Sequence, residues 1–151
     1  MKTKVLSILA SVLILLLTSS SIALANSTQA DGNYATLRTS DYLTKYVADI
    51  ESQGDNKIKI SFTVRAKTVM DEVGVLQIKI ERNSGSGWVY DRTLSHLDYD
   101  NFIKNNAISN KSSATFYGIS GYRYRATLTA YAADGSGADS KEAYSGSVTC
   151  Y

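Results

Sequence analysis

The chain has 151 residues, with 16 Lys and Arg against 14 Asp and Glu, one His, one Cys and no Pro. Lys2 and Lys4 belong to a segment that reads as a removable leader, and without them 14 basic residues face 14 acidic ones. So even a balance gives no global field to draw the chain onto nucleic acid or an anionic membrane, and neither is an expected partner. One His and one Cys cannot fill the three or four nitrogen and sulfur positions of a zinc centre, so no metal and no cofactor is expected.

Lys2 and Lys4 precede an apolar run from Val5 to Leu17, and the segment closes with Ala23-Leu24-Ala25. A basic start, an apolar stretch of this length and a small-x-small site read as a secretory signal peptide over residues 1–25. The alternative is a membrane anchor, but spanning hydrocarbon takes about 20 apolar residues, and this run ends at Thr18, with Ser19, Ser20 and Ser21 behind it. No Cys follows the run to carry a lipid, and a chain without Pro holds no Leu-Pro-x-Thr-Gly sorting signal. The expected location is therefore extracellular, free in the medium or loosely held at the wall.

Residues 26–40 are rich in Ser, Thr, Asn and Ala without periodicity and read as a flexible leader; residues 41–151 are the expected domain. Leu43 to Ile50 is its first predicted strand. From Lys57 to Lys67, Ile58, Ile60, Phe62, Val64 and Ala66 alternate with Lys57, Lys59, Ser61, Thr63, Arg65 and Lys67, which predicts a strand with one buried and one wet face. A third strand is predicted over Val73 to Arg82, with Leu76, Ile78 and Ile80 inward. Asn83-Ser84-Gly85-Ser86-Gly87 supplies turn residues, and Trp88 to Thr93 returns as the second arm of a hairpin.

Ser95 to Lys111 is polar and carries the weakest signal, with a helical turn expected around Asp100 to Asn105. Ser113 to Tyr117 reads as a strand. After the turn at Ile119-Ser120-Gly121, Tyr122, Tyr124, Ala126, Leu128 and Ala130 alternate with Arg123, Arg125, Thr127 and Thr129. Ala133 to Gly137 is a predicted loop and Glu142 to Cys150 the last strand. Seven short strands without a long helix predict an all-β fold, an antiparallel two-sheet sandwich of immunoglobulin or fibronectin III type.

Ile119-Ser120-Gly121-Tyr122-Arg123-Tyr124-Arg125-Ala126 resembles the tyrosine corner of fibronectin type III and immunoglobulin-like domains, without the proline usual in the fibronectin motif and one residue shorter in spacing. Tyr42-Leu43, Thr68-Val69-Met70-Asp71-Glu72-Val73-Gly74-Val75, Leu76-Gln77, Gly87-Trp88, Gly121-Tyr122-Arg123-Tyr124-Arg125 and Asp134-Gly135 resemble a family of short exported Gram-positive proteins known only as a domain of unknown function. This resemblance spans nearly all of residues 26–151 and implies a fold without implying a mechanism.

The chemistry-bearing residues are sparse. His96 lies in Ser95-His96-Leu97-Asp98, with no Gly-x-Ser-x-Gly elbow to present a nucleophile, and reads as a loop histidine. Asp98-Tyr99-Asp100-Asn101 is a fragment of a calcium loop without its Gly or closing Glu. Asp71-Glu72 and Asp98 with Asp100 are carboxylate pairs of the kind a glycosidase uses, read here as solvated loop acids. Gly85 to Gly87 and Gly135 to Gly137 are hairpin turns without the Gly-Lys-Ser or Gly-Lys-Thr ending of a phosphate cradle.

Lys57, Lys59, Arg65 and Lys67 form a wet strand face that either meets anionic wall polymer or guards a sheet edge. Trp88, Tyr90 and Arg92 are expected on one face as a binding patch, the competing reading placing Trp88 over the core beside Tyr124. Cys150 reads as a free thiol near a frayed end, or as the link of a disulfide-bonded dimer. The expected function is a non-enzymatic extracellular binding module whose partner is a cell-wall polymer, a glycan or a protein. A small bacteriocin-like or toxin-like effector is the alternative, and a hydrolase ranks third.

Overall fold

Nothing between Lys67 and Val73 can break a strand: there is no Gly, Pro, Asn or Ser, and Thr68 and Val69 are β-branched. The computed structural model, which describes residues 40–151, accordingly runs the second and third predicted strands together. The expected signal peptide and the leader up to residue 39 lie outside the described residues. β1 spans Leu43–Gly54, β2 Lys57–Asn83, β3 Trp88–Ser95, β4 Ile103–Tyr117, β5 Arg123–Asp134 and β6 Gly137–Thr149. There are therefore six strands where seven were expected, and β2 alone is 27 residues long.

β2 organises the fold by changing partners along its length. Its first half pairs with β1 on one side, Ile50 opposite Ile60, and with β4 on the other, Ala114 opposite Ile60. Its second half pairs with β5, Ile78 opposite Leu128, and on the other side with β4 up to Gly74 and then β3 from Gln77. All pairings are antiparallel and make one sheet, with β6 outside β5. A 27-residue strand cannot stay straight against one core. β2 loses its β4 register between Arg65 and Met70 and carries a bulge at Leu76 on its β5 side, and such irregularities bend and twist a strand. The sheet is thus a single curled half-barrel in place of two separate sheets.

The inner face is the core. Ile58, Ile60, Phe62 and Val64 of β2 meet Val73, Val75, Ile78 and Ile80 from the same strand's second half, with Tyr124, Ala126 and Leu128 of β5. Each large side chain buried here stabilises the fold by roughly 1.5–3 kcal/mol. Of the expected core only Leu76 fails. The bulge adds one residue to β2, so Val75 and Ile78 face inward and Leu76 is half-buried on the outer side.

Ser95 to Lys111 holds no helix. Turns close at Asp98 N to Ser95 O and at Phe102 N to Tyr99 O, and the strand resumes at Ile103. Phe102 is fully buried, stacked on Tyr99 at 4.8 Å and edge-on to Phe62 at 5.5 Å. The buried Asn110 amide donates to the carbonyls of Phe102 and Asn101 at 2.9 and 3.1 Å, fastening this connection to β4. The Ile119 backbone N–H donates to Tyr124 Oη at 2.9 Å, closing the corner expected there.

The C-terminal end is pinned and does not fray. Cys150 exchanges backbone hydrogen bonds with Tyr122 and Gly121, Tyr151 O accepts from Asn56 N, and the Cys150 side chain is fully buried. The thiol is free, as expected, but the reading of its strand end as frayed is corrected: Cys150 is buried, and linking it to a second chain requires that strand end to lift away.

Candidate binding face

The outer face of the second half-sheet gathers the aromatic and basic residues. Side chains directly opposite in an antiparallel pair share a face, so the register sets out rows across β3, β2, β5 and β6. Trp88, Asn83, Arg123 and Thr149 form the first, and Tyr90, Glu81, Arg125 and Ser147 the second. The Arg125 guanidinium lies 4.4 Å from the centre of the Trp88 ring, while its Nε donates to Glu81 Oε2 at 2.8 Å. Lys79 Nζ reaches the other Glu81 oxygen at 3.3 Å. Arg123 donates to Ser147 Oγ in the neighbouring row.

Glu81 is thereby held as an anion. Partial burial raises its pKa, but the hydrogen bonds and charges of Arg125 and Lys79 outweigh that and leave the carboxyl below its usual range. The result is a flat platform whose charges fix its own side chains: Glu81 orients Arg125, and Arg125 holds Trp88. Tyr90 stands beside them 61% exposed, its Oη close to Thr93.

Of the three expected binding residues, Trp88 and Tyr90 come together on this platform and Arg92 does not. β3 carries a bulge where Ile80 faces Arg92 and Glu81 faces Tyr90, leaving Asp91 as the extra residue. That extra residue inverts the alternation, so Arg92 shares the inner side with Ile80, at the rim of the curled sheet. There its guanidinium sits 5.2 Å from the Phe116 ring and pairs with Asp91 at 2.6 Å. Asp91 also faces Arg82 at 3.4 Å, and Arg82 lies 5.6 Å from the Tyr122 ring. Arg125 fills the place expected of Arg92, and Trp88 is on the outer face rather than over the core. Glu81 and Arg125 each stood in a wet alternation of the sequence. Their pairing depends on β2 lying beside β5, which no local pattern states.

Three of the other chemistry-bearing residues, Glu72, His96 and Asp100, line one groove, while Asp71 and Asp98 do not. A groove of about 400 Å³ is lined by Glu72, Leu76, His96, Asp100, Ile103, Asn105 and Tyr131. His96 Nδ1 lies 2.9 Å from Leu76 O, which fixes the ring to the bulge. Ser95 Oγ accepts from Leu97 N, an ST-turn contact that directs it to its own turn. Among the described residues no three His, Cys, Asp or Glu side chains gather as metal ligands, and no helix is long and apolar enough to cross a membrane. Neither family models, curated proteins nor solved structures contain a match to this chain.

Proposed function

We propose that the protein is an exported, non-enzymatic binding module that uses the Trp88, Tyr90 and Arg125 platform to hold a glycan. One observation carries this reading: Arg125 is stacked on Trp88 at 4.4 Å and hydrogen-bonded through Nε to Glu81, next to a largely exposed Tyr90. Flat aromatic rings take the apolar face of a sugar, and the Arg125 and Glu81 pair beside them offers a donor and an acceptor for ring hydroxyls. Because the arginine is already oriented, little side-chain freedom is lost on binding.

The basic and apolar start of the sequence supports export, and the Ile119 to Tyr124 bond supports a local likeness to the tyrosine corner of immunoglobulin-like and fibronectin III domains, carried here on one curled sheet.

Retention on immobilised cell-wall glycan tests the proposal. Tyr90→Ala and Trp88→Ala should each elute earlier than the wild type, with Tyr90→Ala melting within a few degrees of it, since an exposed side chain contributes about 0.5 kcal/mol or less to stability. Equal retention of wild type and both variants would remove the platform from any binding role.

A further inference from the structure

The outer face of the first half-sheet has a different composition. Lys45 of β1 stands directly opposite Arg65 of β2, Lys111 of β4 opposite Thr63 one row away, and Lys67 follows Arg65 on the same alternation. All four side chains are exposed, and none has a hydrogen bond or ion pair among the described residues. Lys59, nearer the other end, is neutralised by Glu51 at 2.9 Å. Asp49 lies in the row between Lys59 and Lys111, opposite Ser61, its Oδ1 accepting from Ile50 N.

Two ordinary explanations leave the opposed pair of Lys45 and Arg65 unaccounted for. Edge protection places lysine on strands with an open side and covers Lys45 and Lys111, because β1 and β4 each pair only with β2, but Arg65 lies where β2 is flanked on both sides, by β1 and by β4. Structural benefit also fails, because like charges directly opposite on a sheet destabilise it. Lys45 and Arg65 hold that arrangement with no carboxylate paired to either among the described residues, although the chain has as many acidic as basic residues once Lys2 and Lys4 are set aside. Charge neutrality overall thus conceals segregation, and this patch carries a local positive field that the net charge does not reveal.

We propose that this patch binds a linear, base-free phosphodiester polymer, such as a polyol phosphate. The Cβ atoms that carry the cations stand about 5 Å apart between Lys45 and Arg65 and about 7 Å apart between Arg65 and Lys67 along β2, so a ligand with an anion at every short repeat suits the patch. A glycan with a carboxylate on occasional sugars leaves most of them unmatched. Thr63 and Ser109 lie in the same rows as Lys111 and Arg65 and supply hydroxyl donors beside the cations. Nucleic acid fits less well: single strands are held by stacking bases on aromatic rings, and the only aromatic residue in these rows is Tyr117, opposite Lys57 at the far end. The surface is separate from the proposed glycan platform and does not depend on it.

The test is binding of the full chain to a defined poly(glycerol phosphate), measured from low to high salt. Affinity should fall with a log–log slope of about −3, as expected for roughly four neutralised phosphates. Arg65→Glu should weaken binding at least tenfold, and Lys104→Glu, an identical charge change away from the patch, should leave it within twofold. Tyr90→Ala should leave it unchanged, which separates failure here from failure of the platform. Arg65→Glu should also melt no lower than the wild type, because it turns a repulsive pair with Lys45 into an attractive one; a simple folding defect would lower it. No binding at low salt, equal loss in Arg65→Glu and Lys104→Glu, or equally tight binding of oligo-dT would each overturn the proposal.

Discussion

The two halves of β2 present outer faces with opposite electrostatic habits. Along the second half, Glu81 lies between Arg125 and Lys79, and the Trp88 ring rests on a guanidinium. Along the first half, Lys45 and Arg65 oppose each other with no carboxylate paired to either among the described residues. One strand and one core support both, so packing cannot explain the difference. A self-neutralised face is rigid and suits a neutral ligand, whereas an unneutralised one stores a field that a counter-ligand relieves. The contrast depends on the joint that holds the two halves in register, and the largest predicted effects fall there.

Gly74 is the point at which β2 passes from β4 to β3. A Cβ built on it would lie 1.9 Å from Phe102 O and 2.9 Å from Asn110 Nδ2. The first of these is backbone, anchored by the Val75 N–H at 2.8 Å, so it has no room to yield. Gly74→Ala is expected to cost about 4 kcal/mol and to abolish cooperative thermal unfolding or lower its midpoint by 15 °C or more. If the variant melts within a few degrees of wild type, Gly74 does not fix the joint and the two faces are not rigidly coupled.

Asn110→Ala attacks the same joint from the other side. It strips the donor from two carbonyls, Phe102 O and Asn101 O. Phe102 O keeps the Val75 N–H, so the loss is partial, about 1–3 kcal/mol. Urea denaturation should show a lower midpoint with an unchanged slope. An unchanged midpoint would mean that the buried amide is not needed to hold the 96–102 turn.

Much of the frame was legible in the sequence because period two is a local signal. Ile58 to Ala66 and Tyr124 to Ala130 occupy the predicted inner face, and the Asn83 to Gly87 hairpin forms where its turn residues lie. What could not be read was set by pairing. Leu76 and Arg92 both follow strict alternation in the sequence, and both are displaced by bulges, at β2 against β5 and at β3 against β2. A bulge is a property of two strands, so neither strand announces it alone. Phe102 was hidden as a lone apolar residue among Asn and Asp. The cationic patch was seen only in part: Lys57, Lys59, Arg65 and Lys67 share one face of one strand, but Lys45 and Lys111 join them across the sheet, and Glu51 removes Lys59.

The smallest predicted effect separates the two faces by their response to acid and salt. Glu81 has its pKa lowered in the folded protein; burial opposes this, and the Arg125 and Lys79 contacts overcome it. A group with a depressed folded value adds stability that is fully present above its unfolded pKa of about 4.3 and is lost as pH falls through the folded value. The Arg125 side chain is 42% exposed, so the pair is weak at neutral pH, and Glu81→Gln should change stability there by about 0.5 kcal/mol or less. Between pH 5 and pH 3, roughly the window around that unfolded pKa, the wild type should lose more stability than Glu81→Gln, so their melting curves converge. Added salt should act in opposite senses on the two faces: it screens the Glu81 attraction and also the Lys45 and Arg65 repulsion. Comparing the two single variants resolves this. The salt-induced gain in melting temperature should shrink in Arg65→Glu and grow in Glu81→Gln. If both variants respond to salt as the wild type does, the faces do not differ electrostatically in the way their contacts imply.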